Sequence, residues 1–145
     1  MTSSRRRWVA RGNRIGVLTH RLAGGRLDAF GDQTVLMITS PGRRTGTPRS
    51  TMVRYLDHEG GFLVWGTGSG ARQDPDWFRN LRHTPRARIE IGKSGQDVDA
   101  EEITGAERDK VWRDVVLARA PGVARYERKA GRVIPVALLR PVRRA

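Results

Sequence analysis

Apolar and polar positions change rhythm several times along this chain, and each change marks an element. In TVLMITS (34–40) the apolar residues run together, as they do in a buried strand. RSTMVRYLD (49–57) resumes β character with partial alternation, DHEGG (57–61) turns the chain, and GFLVWGTG (61–68) is a third strand ending in glycines. QDPDWFRNLRHTP (73–85) reads as a short helix, with Asp74 as N-cap, Pro75 at the first helical position and Pro85 beyond the end. RARIEIGKSGQDVDAEEIT (86–104) alternates on both sides of a Lys-Ser-Gly turn, so its two strands pair antiparallel. Thr104 and Glu107 have capping-box spacing ahead of a helix holding Val111, Trp112, Val115 and Val116, which Pro121 and Gly122 interrupt. Helix resumes through Tyr126, and RVIPVALLRPV (132–142) closes the chain as a strand.

Strands that follow one another through tight turns cannot form a doubly wound parallel sheet, because parallel neighbours need long crossovers. A small antiparallel barrel with helices packed against it satisfies the order of elements. Ahead of the AGGRLDAFGDQ linker (23–33), residues 1–26 form a separate basic amphipathic segment. There Trp8, Ile15, Leu18 and Leu22 recur near helical spacing among Arg5, Arg6, Arg7, Arg11, Arg14 and Arg21. Such a stripe packs on the protein's own core or lies on the anionic inner face of a membrane, and both readings stay open.

Composition narrows the chemistry. The 145 residues, 37% of them apolar, suit one globular domain. The net charge of +13 attracts anions: nucleic acid, phosphorylated cofactors or acidic membranes. Without cysteine there is no disulfide, thiol nucleophile or thiolate metal site, and the cytoplasm is the expected compartment. The SRRRW start mimics a twin-arginine export signal, but Arg11, Arg14 and Arg21 interrupt the apolar stretch that such a signal needs. His20, His58 and His83 are too scattered for a zinc set or a catalytic relay. The acidic residues of QDVDAEEIT read as one wet strand face rather than a paired-carboxylate site.

Two stretches carry candidate chemistry. Gly66, Gly68 and Ala71, with Glu90 downstream, match a lenient dinucleotide fingerprint. The helix that follows is too short and leads into a hairpin, so what survives is a strand end whose small residues let a flat ligand approach the backbone. GRRTGTPRS (42–50) lacks the Gly-Lys-Ser/Thr ending of a P-loop. It nevertheless combines a glycine-permitted turn, the Thr45 hydroxyl and several arginine forks, which suits phosphate as well as it suits a plain solvated hairpin. Asn80, set among apolar neighbours, needs partners if buried, which points to a loop or ligand that it pins.

TSPGRRTGTPRS, GTGSGARQDPDWFRNLRHTP and RYERKAGRVIPVALLRPV together resemble the deazaflavin-dependent nitroreductase family, split β-barrel reductases of actinobacteria that use the reduced deazaflavin coenzyme F420. The likeness runs from about His20 to Val142. It implies an α+β, mainly β, split barrel over 27–145 and hydride transfer to a quinone-like, nitroaromatic or other conjugated acceptor. By resemblance, Arg43, Arg44, Thr45 and Arg49 hold the coenzyme's phosphate and acidic tail. Met52 and Val53 line the next strand, while Trp65, Gly66, Thr67 and Gly68 bring backbone against the ring. Asp76, Trp77, Phe78, Arg79 and Asn80 brace the phosphate side, and Tyr126 closes over the ring; Tyr126 and Thr67 are the catalytic candidates. Met52, Trp65 and Gly122 depart from the family's usual proline, small residue and aromatic, and so bear on the acceptor. Two other classes fit parts of the sequence: a split barrel that binds FMN or haem, and a basic nucleic-acid-binding module, which demands a stripe of arginines interleaved with exposed aromatics.

Overall fold

The computed structural model describes residues 34–143; the basic segment 1–26 and the linker lie outside the described residues. The described residues form six strands: β1 (Thr34–Pro41), β2 (Pro48–His58), β3 (Gly61–Trp65), β4 (Arg86–Ile91), β5 (Ser94–Ile103) and β6 (Val136–Pro141). They close in the order β1-β2-β3-β6-β5-β4, every pairing antiparallel. The expected antiparallel barrel is the observed fold.

Alternation along each strand divides the apolar residues between two cores. Leu36, Ile38, Val53, Tyr55, Ile89, Val98 and Leu139 fill the barrel, stoppered by Phe78 and Leu81 from helix α1 (Asp76–His83). A second core lies outside the wall, where Leu63, Trp65, Val136 and Leu138 meet Trp112, Val116 and Val123 of the later helices. β6 contributes to both: Ala137 and Leu139 face in, while Val136 and Leu138 face the helices. An unbroken apolar run is what such a doubly buried strand requires.

The covering helices are α2 (Gly105–Val111), a π-helical turn (Trp112–Val116), α3 (Leu117–Arg119) and α4 (Val123–Ala130). The π turn carried no sequence signal. Arg108 beneath it is almost fully buried, donating from Nε and Nη2 to the Ile134 carbonyl at 3.0 and 2.7 Å, with its guanidinium 4.8 Å from the Trp112 ring centroid.

Local expectations differ at three places. Asp74 does not cap α1: Pro75 occupies the cap position, and the Asp74 carboxylate is taken by Arg82 at 2.8 Å and Arg132 at 2.6 Å. Thr104 sits at the N-cap of α2 but makes no side-chain cap bond, since Gly105 enters the helix with φ 64°, outside helical geometry. The β4–β5 turn is Gly92-Lys93, because Ile91 already pairs with Ser94, and Gly92 takes the left-handed conformation a two-residue turn demands.

The acidic strand face does have a task. Asp99 and Asp97 stand directly opposite Arg86 and Arg88, Glu101 pairs with Arg140, and Glu102 takes two bonds from Arg82. These contacts raise the pKa of Arg82 and of Arg86, chiefly through the carboxylate hydrogen bonds to Glu102 and Asp99. One side of the barrel therefore neutralises its own charge.

Candidate functional site

The β1–β2 hairpin carries the arginine loop. Its turn is closed from within: the Gly42 N–H donates to the Thr47 carbonyl and the Gly46 N–H to the Gly42 carbonyl, both at 2.8 Å. Gly46 has φ 75°, which L side chains rarely adopt. Thr45 Oγ1 accepts from the Thr47 N–H at 3.2 Å, leaving its hydroxyl hydrogen available to donate outward.

Asn80 ties this loop to α1. Buried as expected for an amide with partners, it accepts through Oδ1 from the Arg43 backbone N–H at 3.1 Å and from Arg43 Nη1 at 2.9 Å. Arg43 Nη2 reaches Asp76 at 3.1 Å. Beside this brace opens a cavity of about 580 Å³, walled by Arg43, Arg44, Thr45 and Arg49 on the hairpin and by Asp76, Trp77, Arg79 and Asn80 on α1. Arg44, Thr45 and Arg49 are exposed there.

A second cavity, about 470 Å³, shares Thr51 and Trp77 with the first and so continues it. Met52, Val53, Trp65, Thr67, Gly68 and Tyr126 all reach its wall, together with Gly122. A Cβ added at Gly122 meets nothing within 4 Å, so the wall is open there. Trp65 is 6% exposed and packs mainly into the outer core.

Two residues assigned by resemblance line neither cavity. Phe78 is 1% exposed inside the barrel. Gly66 is enclosed, its N–H donating to the Pro135 carbonyl at 3.0 Å, and a Cβ there would come within about 3.1 Å of Pro75 and Pro135. Gly66 is a packing glycine, and the backbone that meets the cavity belongs to Thr67, Gly68 and Ser69.

Sequence reasoning missed two arginines. Arg132 threads beneath the loop that follows β3 and donates to the carbonyls of Gly66, Thr67, Ala71 and Gln73 while pairing with Asp74. It fixes the loop's path. Nothing local to Arg132 announces this, since its partners lie about 60 residues earlier. Arg54 lines the second cavity next to Trp65, and burial lowers its pKa, with the field of Tyr126 acting in the opposite sense. An arginine inside the alternating stretch of β2 was the one available signal.

With this geometry established, similarity decides the family. The sequence profile of the F420H(2)-dependent quinone reductase family matches residues 13–141. The chain belongs to that family. An F420H(2)-dependent quinone reductase of Mycobacterium tuberculosis is 25% identical over 126 residues, which cover 86% of this chain and 80% of the relative. Among solved structures, an F420-H2 dependent reductase superposes with a TM-score of 0.63 at 24% identity, covering 73% of this chain and 93% of the other. The heme storage protein HutZ of Vibrio cholerae reaches 0.55 at 15% identity, covering 86% and 92%; both likenesses speak to the fold.

As a member of the F420H(2)-dependent quinone reductase family, the protein is an oxidoreductase whose cofactor is reduced coenzyme F420 and whose partner is a small-molecule acceptor. An FMN- or haem-binding barrel and a nucleic-acid module are not what this match favours. Nor do the described arginines form a stripe among exposed aromatics: Trp65 and Trp112 are buried, and many of the guanidinium groups face carboxylates.

Proposed function

We propose that this protein transfers a hydride from reduced F420 to a quinone-like acceptor within the paired cavities. The observation that carries this reading is that the two cavities adjoin at Thr51 and Trp77, one walled by the arginine hairpin and the other by Met52, Trp65, Tyr126 and loop backbone, with Arg54 and Arg125 at its side. The donor chemistry fits the coenzyme. A phosphate and an acidic tail call for cationic and hydroxyl donors, and the Arg44 and Arg49 guanidinium groups and the Thr45 hydroxyl line the cavity beside a turn already braced by Asn80.

Bound reduced F420 would supply the hydride, so no side chain has to act as nucleophile. The chain's own task is placement. Arg44, Thr45 and Arg49 anchor the anionic arm, and Arg43 stays held by Asp76 and Asn80 as the fixed edge of that anchor. Met52, the β2 strand at Val53 and the loop from Thr67 to Ser69 form the surface against which a planar ring lies. Tyr126, on α4, stands over the same cavity, where it excludes water and orients the acceptor. We place the reaction in the cytoplasm. No described helix is long and apolar enough to cross a membrane. Contact of segment 1–26 with the membrane's inner face is a second element of this reading, resting on its arginine and Trp8 pattern.

The test is direct. Purified protein is titrated separately with oxidised F420 and with FMN while fluorescence is followed, and quinones are then added to the reduced coenzyme with protein present. Saturable binding of F420 in preference to FMN, followed by quinone-dependent oxidation, is expected. Preference for FMN, or no oxidation with any quinone, overturns the reading.

A further inference from the structure

Arg54 is the described guanidinium whose surroundings do not explain it. It lies on β2 between Val53 and Tyr55, which point into the barrel, so its own side chain emerges on the opposite face into the ring-side cavity. The other guanidinium groups drawn below the surface have acceptors. Arg43 has Asp76 and the Asn80 carbonyl oxygen, Arg108 has the Ile134 carbonyl and Asp109, and Arg132 has Asp74 and a fan of backbone carbonyls. Arg54 Nε is buried without a hydrogen-bond partner, and among the described residues no carboxylate pairs with the group. Its nearest compensation is the Trp65 ring, 5.9 Å from the guanidinium carbon to the ring centroid and thus at the outer reach of a cation–π contact. Burial accordingly disfavours its charged form.

The cavity itself is one-sided in charge. Arg54 stands at its wall and Arg125 at its exposed rim, with the Arg125 guanidinium 5.5 Å from the Tyr126 ring centroid, and no Asp or Glu lines it. A half-buried guanidinium with no carboxylate beside it carries part of its desolvation cost uncompensated, which an anionic oxygen arriving from the cavity offsets, and a charge-assisted bond is roughly twice as strong as one to a neutral carbonyl. Resting on the reductase reading above, we propose that Arg54 makes the ring-side cavity selective for conjugated acceptors that carry a carboxylate or comparable anionic oxygen group. Arg54 is thus a specificity-determining residue of the acceptor subsite. The Gly122 side, where no side chain intrudes, leaves room for the substituent.

The test compares a naphthoquinone bearing a short carboxylic-acid side chain with its methyl ester, which keeps the same redox ring. Wild-type protein is expected to show a KM for the acid about tenfold or more below that for the ester, the range a hydrogen bond to a charged group supports. Arg54→Gln abolishes the difference, mostly through KM, and Arg54→Lys retains part of it. Arg113→Gln, on an exposed helix position paired with Asp114, removes the same net charge and leaves the preference intact. Titration calorimetry of both quinones against coenzyme-free protein gives a second readout that needs no turnover, and circular dichroism checks that each variant is folded. Equal KM values in the wild type, an undiminished preference in folded Arg54→Gln, or an effect of that variant confined to F420 affinity overturns the proposal. Failure of both quinones to oxidise reduced F420 instead sinks the reductase reading, and the calorimetric preference then decides the role of Arg54 alone.

Discussion

The two halves of the site solve opposite electrostatic problems. At the hairpin end the cation nearest the protein is paired in advance: Arg43 is held by Asn80 and Asp76, and the groups left at the surface, Arg44 and Thr45, are solvated until an anion arrives. At the ring end a guanidinium is partly buried and left short of acceptors, while the loop around it is locked by Arg132. A solvated cation binds phosphate with little reorganisation, whereas a desolvated one penalises any neutral occupant that cannot complete its hydrogen bonds. On the proposed reading, affinity is concentrated at the first end and discrimination at the second.

The harshest way to break this contrast is Arg132→Met. It strips hydrogen bonds from four carbonyls and leaves Asp74 with only Arg82, so a loss of about 3–5 kcal/mol in unfolding free energy is expected. Urea denaturation measures it, and a loss below about 1 kcal/mol would mean that the loop holds its shape unaided. Next comes Arg44→Ala. Losing one charge-assisted contact is expected to weaken F420 binding by about 10- to 100-fold, with turnover at saturating coenzyme nearly unchanged. Equal affinity of the variant and wild type, by fluorescence titration, removes the phosphate from the hairpin. The gentlest change is Tyr126→Phe, which keeps the ring and deletes the hydroxyl. A fall in kcat of about tenfold or less with coenzyme affinity intact is expected, since a single neutral hydrogen bond contributes about 1 kcal/mol. A drop in F420 affinity without a change in kcat would move Tyr126 to the other side of the comparison.

Much of this was legible in the chain. Alternating stretches, tight turns and short connections left antiparallel closure as the economical arrangement, and β6, read only as a closing strand, carries no polar residue from Val136 to Leu139, as its double burial requires. Asn80 was conspicuous as an amide among apolar neighbours, and it is the residue that pins the hairpin. Gly66 misled for a physical reason: a glycine chosen because a barrel wall leaves no space for a Cβ looks the same in sequence as one chosen to admit a ligand. Asp74 had the right spacing for a cap, but two arginines outcompeted the α1 backbone for its carboxylate.

The sequence alone determined the succession of strands and helices along the chain, the cationic turn and the family resemblance, because these depend on local periodicity and on motifs within a few residues of one another. Only the tertiary structure decided which charges are spent and which are left. Arg86, Arg88 and Arg140 are matched across strands, Arg132 is consumed by a distant loop, and Arg54 faces the cavity short of acceptors. Coulomb pairing and desolvation act between groups that touch in space whatever their separation along the chain, so a net charge of +13 cannot say where it resides.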